Sequence, residues 1–151
     1  MTAIERAQLD DAAEILALQK LAYQSEAAIY DTDDIPPLTQ TLAEMEADLE
    51  RQTVLVARET GPAGPAIVGS VRAHAQDGTC HVGRLIVHPD RQNRGLGTRL
   101  LELLVGMARD GGYRRLAGLV HRDNGPMLAV LAKFGATTRT DGDLLRCEIE
   151  L

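Results

Sequence analysis

The chain has 151 residues, of which 44% are hydrophobic, and carries a formal net charge of −6. This length is typical of one domain with its own core, here residues 1–151, and the hydrophobic fraction excludes a disordered chain. The acidic balance, with no Trp and one Phe, argues against nucleic-acid binding. No apolar run approaches a membrane span and no signal peptide opens the chain, so we expect a cytoplasmic protein without a membrane partner.

The charge is unevenly distributed along the chain. Residues 1–50 hold 12 acidic and 2 basic side chains, whereas residues 51–151 hold 10 acidic and 14 basic ones. The two parts of the domain are therefore expected to face different ligands. Cys80 and Cys147 lie in strand-like segments of a chain without a secretion signal, so we expect both to be reduced. The spacing of Cys and His residues indicates no metal site.

The first part of the chain predicts an edge strand at residues 2–8 and two helices. Apolar residues recur at helical spacing in LDDAAEILALQKLAYQSEAAIY, and Asp10 or Asp11 can cap the start of this helix. Two prolines in DTDDIPPLTQT forbid a continuous helix, so this segment is expected to be a loop. Thr39 or Thr41 can then cap a second helix through LAEMEADLERQ.

A three-strand meander is predicted next, followed by alternating helices and strands. The segments TVLVARE, IVGSVRAHAQ and TCHVGRLIVH have strand composition, and the Asp77 and Gly78 pair is a strong hairpin signal. An amphipathic helix follows over TRLLELLVGMARDGG, then the strand RRLAGLVH. Asn124 opens a short helix in NGPMLAVLAKFG, and LLRCEIEL ends the chain as a strand expected at the sheet edge.

The segment HPDRQNRGLGTRLL, at residues 88–101, joins a strand to a helix in a way that predicts an anion site. Gly95 and Gly97 allow a ligand to approach the unpaired N–H groups of the first helical turn. These amides and the helix dipole attract a phosphate, so a phosphorylated cofactor is the expected occupant. The Walker loop is absent because the chain has no GK[ST], and the dinucleotide-binding fingerprint G-x-G-x-x-G fails because position 100 is Leu. The arginines able to add charge there are Arg91, Arg94 and Arg99.

This segment resembles the coenzyme A loop of the GCN5-related N-acetyltransferase (GNAT) family. The family signature is [Q/R]-x-x-G-x-[G/A] after a strand and a V-x-P turn, and LIVHPDRQNRGLGTRLL has Gln92, Gly95 and Gly97 in the signature places. A second segment, HRDNGPMLAVLAKFGAT, is similar to the family pattern N-x-x-A-x-x-L-Y-x-K-x-G-F, with Asn124, Lys133 and Gly135 in register. The order of predicted elements also agrees with the family.

The resemblance implies an α/β (mixed α+β) fold with a twisted, mostly antiparallel sheet of six to seven strands, about four flanking helices and a splayed central pair of strands. Acetyl-CoA, the implied co-substrate, lies in the splay. Its pantetheine pairs with the strand edge and its pyrophosphate binds the loop amides; no metal is implied. The expected cofactor-binding residues are Leu85, Ile86, Val87, Gln92, Asn93, Arg94, Gly95, Leu96, Gly97, Thr98 and Asn124.

The resemblance further implies direct transfer of an acetyl group to a primary amine of a small molecule or peptide. A backbone N–H near Ile86 or Val87 would stabilise the thioester oxygen. This sequence departs from the family where catalytic groups often stand: Gly83 replaces a Glu base, Leu131 a Tyr acid, and Ala136 a Phe. An acyl-CoA-binding sensor without efficient turnover is therefore an alternative, and a nucleotide-binding domain of another class is a third.

The missing base and the acceptor pocket have separate candidates. His81 shares a strand face with Gly83 and Leu85 unless a bulge intervenes, and the resemblance implies such a bulge. His81 is the candidate base because a histidine titrates near neutral pH. The resemblance also places the acceptor pocket at AYQSEAAIYDTDDIPPLTQT, with Tyr30 and Glu26 on the acceptor side. The acidic residues there would suit a cationic acceptor, and homodimers are frequent in the family.

Overall fold

A seven-stranded sheet organises the part of the chain that this computed structural model describes, namely residues 2–24, 35–92 and 94–151. In chain order the strands are β1 (Thr2–Arg6), β2 (Thr53–Gly61), β3 (Gly64–Gln76), β4 (Thr79–Val87), β5 (Arg115–His121), β6 (Thr137–Asp141) and β7 (Leu144–Glu150). Their order in space is β1-β2-β3-β4-β5-β7-β6. Neighbouring strands are antiparallel except for β4 and β5, so the predicted mixed fold with a mostly antiparallel sheet is confirmed.

The described residues contain five α-helices, one more than the approximate number expected from the sequence. They are α1 (Ala12–Ala22), α2 (Pro36–Thr39), α3 (Leu42–Arg51), α4 (Leu96–Asp110) and α5 (Gly125–Ala132). The additional helix, α2, is a single turn in a segment that the prolines predicted to be a loop. Proline is tolerated in a first helical turn because the N–H groups there need no intrahelical partner.

Local sequence signals account for several element ends. The Thr41 hydroxyl accepts a hydrogen bond from the Glu44 N–H at 3.2 Å, while the Glu44 carboxylate accepts the Thr41 N–H at 2.9 Å, which forms the capping box that starts α3. The Asn124 side chain caps α5 as predicted. Asp77 and Gly78 have φ values of 52° and 79°, which suit the tight turn of the β3–β4 hairpin.

Two further local predictions are wrong, and one strand is not predicted. No aspartate side chain caps α1, because the Asp11 carboxylate instead accepts the Gln8 N–H at 2.8 Å and pairs with Arg58 at 2.7 Å. The sequence does not predict β6, whose five residues are all exposed and lack apolar alternation. The final strand, β7, is not an edge, since it lies between β5 and β6. The strand that the sequence misses is therefore the strand that covers β7.

Two apolar cores lie on opposite faces of the sheet. Helix α4 covers one face through Leu100, Leu101 and Leu104, which are 0–2% exposed. Helices α1 and α3 cover the other face, where Ile15 and Met45 are 2% and 1% exposed. Burial of one such side chain contributes roughly 1.5–3 kcal/mol, so the two cores together hold the sheet between helical layers.

Strands β4 and β5 pair at only one end, which confirms the predicted splay. Residues 79–81 of β4 pair in parallel with residues 115–117 of β5. From Val82 onward β4 has no partner on its β5 side. The strands approach closely where they part, since a Cβ on Gly118 would lie 3.3 Å from the Val82 carbonyl oxygen. The β4 edge from Val82 to Val87 therefore faces a gap.

Both cysteines are buried free thiols in the strands that the sequence predicted for them. Cys80 lies in β4 and Cys147 in β7, and burial raises the pKa of each thiol. Within the ranges given above, none of the helices combines the length and the apolar character that crossing a membrane requires.

A side chain of α1 completes the hydrogen bonding of β3 at a bulge. The register between β2 and β3 shifts after Ala57, so Val68 is an additional residue in β3. The N–H of the neighbouring Ile67, whose side chain is buried, donates instead to Glu14 Oε2 at 2.7 Å. This hydrogen bond connects α1 to β3, the strand next to β4.

Replacement of Glu14 by alanine tests the contribution of this hydrogen bond to stability. We expect Glu14→Ala to lower the free energy of unfolding by about 1–3 kcal/mol, because the Ile67 N–H loses its acceptor. Glu14→Gln retains an acceptor oxygen and serves as the matched control, with a change within about 0.5 kcal/mol. Urea denaturation measures both variants. Equal loss in the two variants, or no loss in either, would contradict this role.

Candidate functional site

A cavity of about 570 Å³ opens between the splayed strands. Its walls come from the end of β4, the loop before α4 with the first turn of that helix, the start of α5, and the last turn of α1. The predicted cofactor-binding residues that line it are Leu85, Ile86, Val87, Gln92, Gly95, Leu96, Gly97, Thr98 and Asn124. Arg94 is exposed and is not among the lining residues, and Asn93 lies outside the described residues.

The loop before α4 directs backbone amides toward this cavity. Gly95 is the N-cap of α4 with a φ of 80°, a conformation that strains any residue with a side chain. The Arg99 N–H makes the first bond of the helix, to the Gly95 carbonyl at 3.0 Å. The preceding N–H groups of the first turn, at residues 96–98, have no acceptor within the helix. These N–H groups and the helix dipole are the features from which the sequence predicted an anion site.

The arginines near this loop differ in what they contact. Arg91 Nε donates to both carboxylate oxygens of Glu59, at 2.8 and 3.0 Å. This pair raises the pKa of Arg91 and lowers the pKa of Glu59. Arg99 Nη2 donates to the Thr2 carbonyl at 3.3 Å. The charge of Arg91 is thus compensated by Glu59, and the backbone amides are the better-placed anion donors.

A bulge in β4 changes which side chains face each helical layer. Gly83 lies opposite Arg72 and Ile86 opposite Ser70, so residues 84–85 share one partner position in β3. Arg84 has a φ of 51°, which is rare for a residue with a side chain. Because of the bulge, Leu85 packs with the α4 core and Ile86 with the α1 core. His81 and Gly83 therefore share a face with Ile86 and not with Leu85.

A smaller cavity of about 140 Å³ adjoins the first at the closed end of the splay. The two cavities share Tyr23, Leu85, Asn124 and Met127 in their linings. Gly83 and Leu131, the positions where the resemblance implied a base and an acid respectively, both line the smaller cavity. The polar side chains in its lining are Tyr23, Arg84, His121 and Asn124.

Two polar residues of the smaller cavity, His121 and Arg84, are not among the site residues predicted from the sequence. The imidazole of His121 is buried, and its Nδ1 accepts the Asp123 N–H at 3.1 Å. Arg84 lies inside a strand of largely apolar composition, but so do Arg58 and Arg146. Composition alone therefore does not single out Arg84, whose distinguishing feature is its backbone conformation.

The candidate base lies at the last paired position of β4, two residues before Gly83. The rings of His81 and His74 are stacked, with centroids 5.2 Å apart. Burial, the neighbouring His74 and the charge of Arg146 lower the pKa of His81. His81 is not among the lining residues of either cavity. Tyr30 and Glu26 lie outside the described residues.

No group of three or more His, Cys, Asp or Glu side chains among the described residues is arranged to hold a metal ion. Asp48 pairs with Arg72 and Glu59 with Arg91, and the carboxylate of Asp123, which lines the larger cavity, lies 3.8 Å from His121 Nδ1.

Comparison with known proteins agrees with this geometry. The family model for the acetyltransferase (GNAT) family matches residues 13–136. The UPF0157 protein YqkA of Bacillus subtilis is 27% identical over 124 residues, which are 82% of this chain and 34% of that protein. The chain thus spans about a third of the length of this curated relative.

Solved structures share the fold along nearly the whole chain. The PaiA N-acetyltransferase of Thermoplasma acidophilum, in complex with coenzyme A, has a TM-score of 0.86 at 15% identity, covering 100% of this chain and 99% of its own. The ribosomal-protein-S18-alanine N-acetyltransferase of Escherichia coli has a TM-score of 0.78 at 17% identity, with 99% and 94% covered. YncA, a putative acetyltransferase of Salmonella typhimurium with its cofactor acetyl-CoA, has a TM-score of 0.75 at 23% identity, with 100% and 94% covered.

The family match covers most of the chain, and the splayed strands, the bulge and the amide-lined loop agree with what the resemblance implied. This chain belongs to the GNAT family of acetyltransferases.

Proposed function

We propose that this protein is an N-acetyltransferase that transfers an acetyl group from acetyl-CoA directly to a primary amine of a small molecule or peptide. The observation that carries the proposal is the cavity of about 570 Å³, which joins an unpaired strand edge to an amide-lined helix start. Two of the similar structures hold coenzyme A or acetyl-CoA. We place this activity in the cytoplasm, and a homodimer is compatible with it.

The cavity has the two binding chemistries that coenzyme A requires. The β4 edge beyond Val82 offers backbone groups to the pantetheine amides, in the manner of an added strand. The first-turn amides of α4 offer donors to the pyrophosphate. Gln92 Nε2 donates to the Val87 carbonyl at 3.3 Å, which joins the loop to the end of the strand. Asn124, at the opposite wall, contributes the cap of α5.

Acetyl-CoA supplies an activated thioester, so the protein has to align the amine, remove its proton and stabilise the charge on the thioester oxygen. The amine nitrogen bonds to the acetyl carbon, the carbon–sulfur bond breaks, and coenzyme A leaves as a thiol after protonation. We assign the oxygen donor to a backbone N–H near Ile86 or Val87. His81 is the proposed base, since a lowered pKa keeps it neutral and able to accept a proton.

A second candidate function is acyl-CoA sensing without efficient turnover. Gly83 and Leu131 favour it, since both line the smaller cavity and neither side chain ionises. Tyr30 and Glu26 remain acceptor-side candidates under the first function and have no role under the second. Turnover therefore separates the two functions.

An amine panel decides between enzyme and sensor. We expect coenzyme A to bind and at least one amine to raise thiol release from acetyl-CoA clearly above the rate without amine. Release is followed with a thiol reagent, and calorimetry measures coenzyme A binding to the same preparation. Tight binding with no amine-dependent release would favour the sensor, and a larger thermal shift with ATP or NAD than with coenzyme A would contradict both functions.

Substitution in the α4 first turn tests the cofactor site. Gly97→Val should weaken coenzyme A binding by roughly tenfold or more, about 1.4 kcal/mol. The first carbon fits, because a Cβ there would lie 3.9 Å from Val87 Cγ2, but the branched side chain occupies the wall of the cavity. Gly106→Val, in open space in the same helix, is the matched control. Calorimetric titration with coenzyme A measures the affinity of both variants. Equal affinities would show that the loop before α4 is not part of the coenzyme A site.

The pH dependence of turnover tests the base. An unprotonated His81 is required, so kcat/KM should rise with pH through a value below the ordinary 6.5. The His81→Ala variant should lose this rise of kcat/KM with pH, and its rate should be roughly 100-fold lower. His74→Ala removes a neighbour that lowers the pKa of His81, so kcat/KM of this variant should rise at a higher pH than in the wild type. If the His81→Ala profile matches the wild type, His81 is not the base.

A further inference from the structure

Arg84 has an unusual backbone conformation for a residue with a side chain. It is the bulged residue of β4, and its φ of 51° lies in the left-handed region that disfavours such residues. Such strain persists where surrounding contacts hold it, and it concentrates at functional sites. The bulge turns the Arg84 side chain toward the α1 and α3 layer, where Nη1 donates to Gln40 Oε1 at 2.7 Å.

The residue that Arg84 contacts is itself held in place. Gln40 Oε1 also accepts from Gln19 Nε2 at 2.9 Å, and Gln40 Nε2 donates to Asp48. Gln19 is 1% exposed and donates to the Pro37 carbonyl at 2.9 Å as well. The guanidinium of Arg84 therefore has a defined orientation before any ligand binds, which reduces the entropy lost on binding.

Arg84 makes no ion pair in the described part of the chain. The nearby Asp48 forms its ion pair with Arg72, and no described carboxylate lies within 4.0 Å of the Arg84 guanidinium. Burial and the charge of Arg72 lower the pKa of Arg84, and the more distant Tyr23, Asp48 and Glu44 oppose this shift only in part. A partly buried cation bonded to a neutral amide gains substantially from an added anion.

The position of Arg84 relates this charge to the reaction. Arg84 and Gly83 line the smaller cavity, which shares Tyr23 and Leu85 with the cavity assigned to coenzyme A. An amine that reaches the thioester at the closed end of the splay has its remaining groups beside the bulge. A negative group on that amine would then lie near the guanidinium.

Resting on the proposed function, we propose that Arg84 binds an oxyanion of the acceptor, so that the acceptor is a small primary amine carrying a carboxylate or a phosphate. Arginine suits both groups because its planar fork donates two parallel hydrogen bonds. This inference differs from the cationic acceptor expected from the acidic segment, of which Glu26 and residues 30–34 lie outside the described residues. In the described part of the site, Arg84 is instead an unpaired cation.

Paired acceptors test the proposal. Thiol release from saturating acetyl-CoA is measured with glycine against glycinamide, β-alanine against β-alaninamide, and O-phosphoethanolamine against ethanolamine, with spermidine as a polycation. We expect a higher kcat/KM for the anionic member of at least one pair, and the carboxylate and phosphate pairs identify the source of the oxyanion. Arg84→Gln should reduce that preference roughly 10- to 100-fold while the neutral member changes little.

Two further variants separate binding from structure. Arg84→Lys keeps the charge but not the fork, so it should retain part of the preference. Arg109→Gln, an exposed arginine in the last turn of α4, should leave the preference unchanged. Equal turnover of both members of every pair, or an unchanged preference in both Arg84 variants, would overturn the role of Arg84 alone. If coenzyme A binds and no amine is acetylated, the acetyltransferase function is overturned as well.

Discussion

The short parallel ladder between β4 and β5 is the constraint on which the rest of the site depends. Only residues 79–81 and 115–117 pair, and from there the strands separate. A longer ladder would close the gap, whereas no ladder would leave two independent half-sheets. The close approach of Gly118 to the Val82 carbonyl, 3.3 Å from a built Cβ, marks the point of divergence. Three pairs keep the halves together and leave a backbone edge accessible inside the domain.

The two helical layers keep that gap open from opposite sides. Helix α4 is anchored by Leu100 and Leu101, so its first turn is held beside the end of β4. On the other face, α1 contributes Gln19 and the junction between α2 and α3 contributes Gln40 to the hydrogen bonds beside the β4 bulge. One layer thus supplies the unpaired amides of the α4 first turn, and the other supports the polar side chains beside the bulge. The sheet separates two kinds of chemistry within a short distance.

Much of this arrangement could be predicted from local pattern. The Thr41 cap, the Asp77 and Gly78 turn and the glycines before α4 each have a conformational requirement that few other residues meet. The order of strands in space is not local, so the place of β7 inside the sheet could not be predicted while β6 was missed. The pairing of Arg91 with Glu59 could not be predicted for the same reason, because the two residues are 32 positions apart in the chain and meet only in the folded sheet.

The β4 bulge has a consequence for how this domain can change over time. Without the additional residue, strand alternation would place Gly83 on the same face as Leu85 and Val87. With it, Gly83 shares a face with Ile86, and Val82 packs on the same side as Leu85 and Val87. Deletion of one residue at the bulge would therefore move every side chain on one side of it to the opposite helical layer. An insertion or deletion at this point, unlike a substitution, changes the packing of both layers at once.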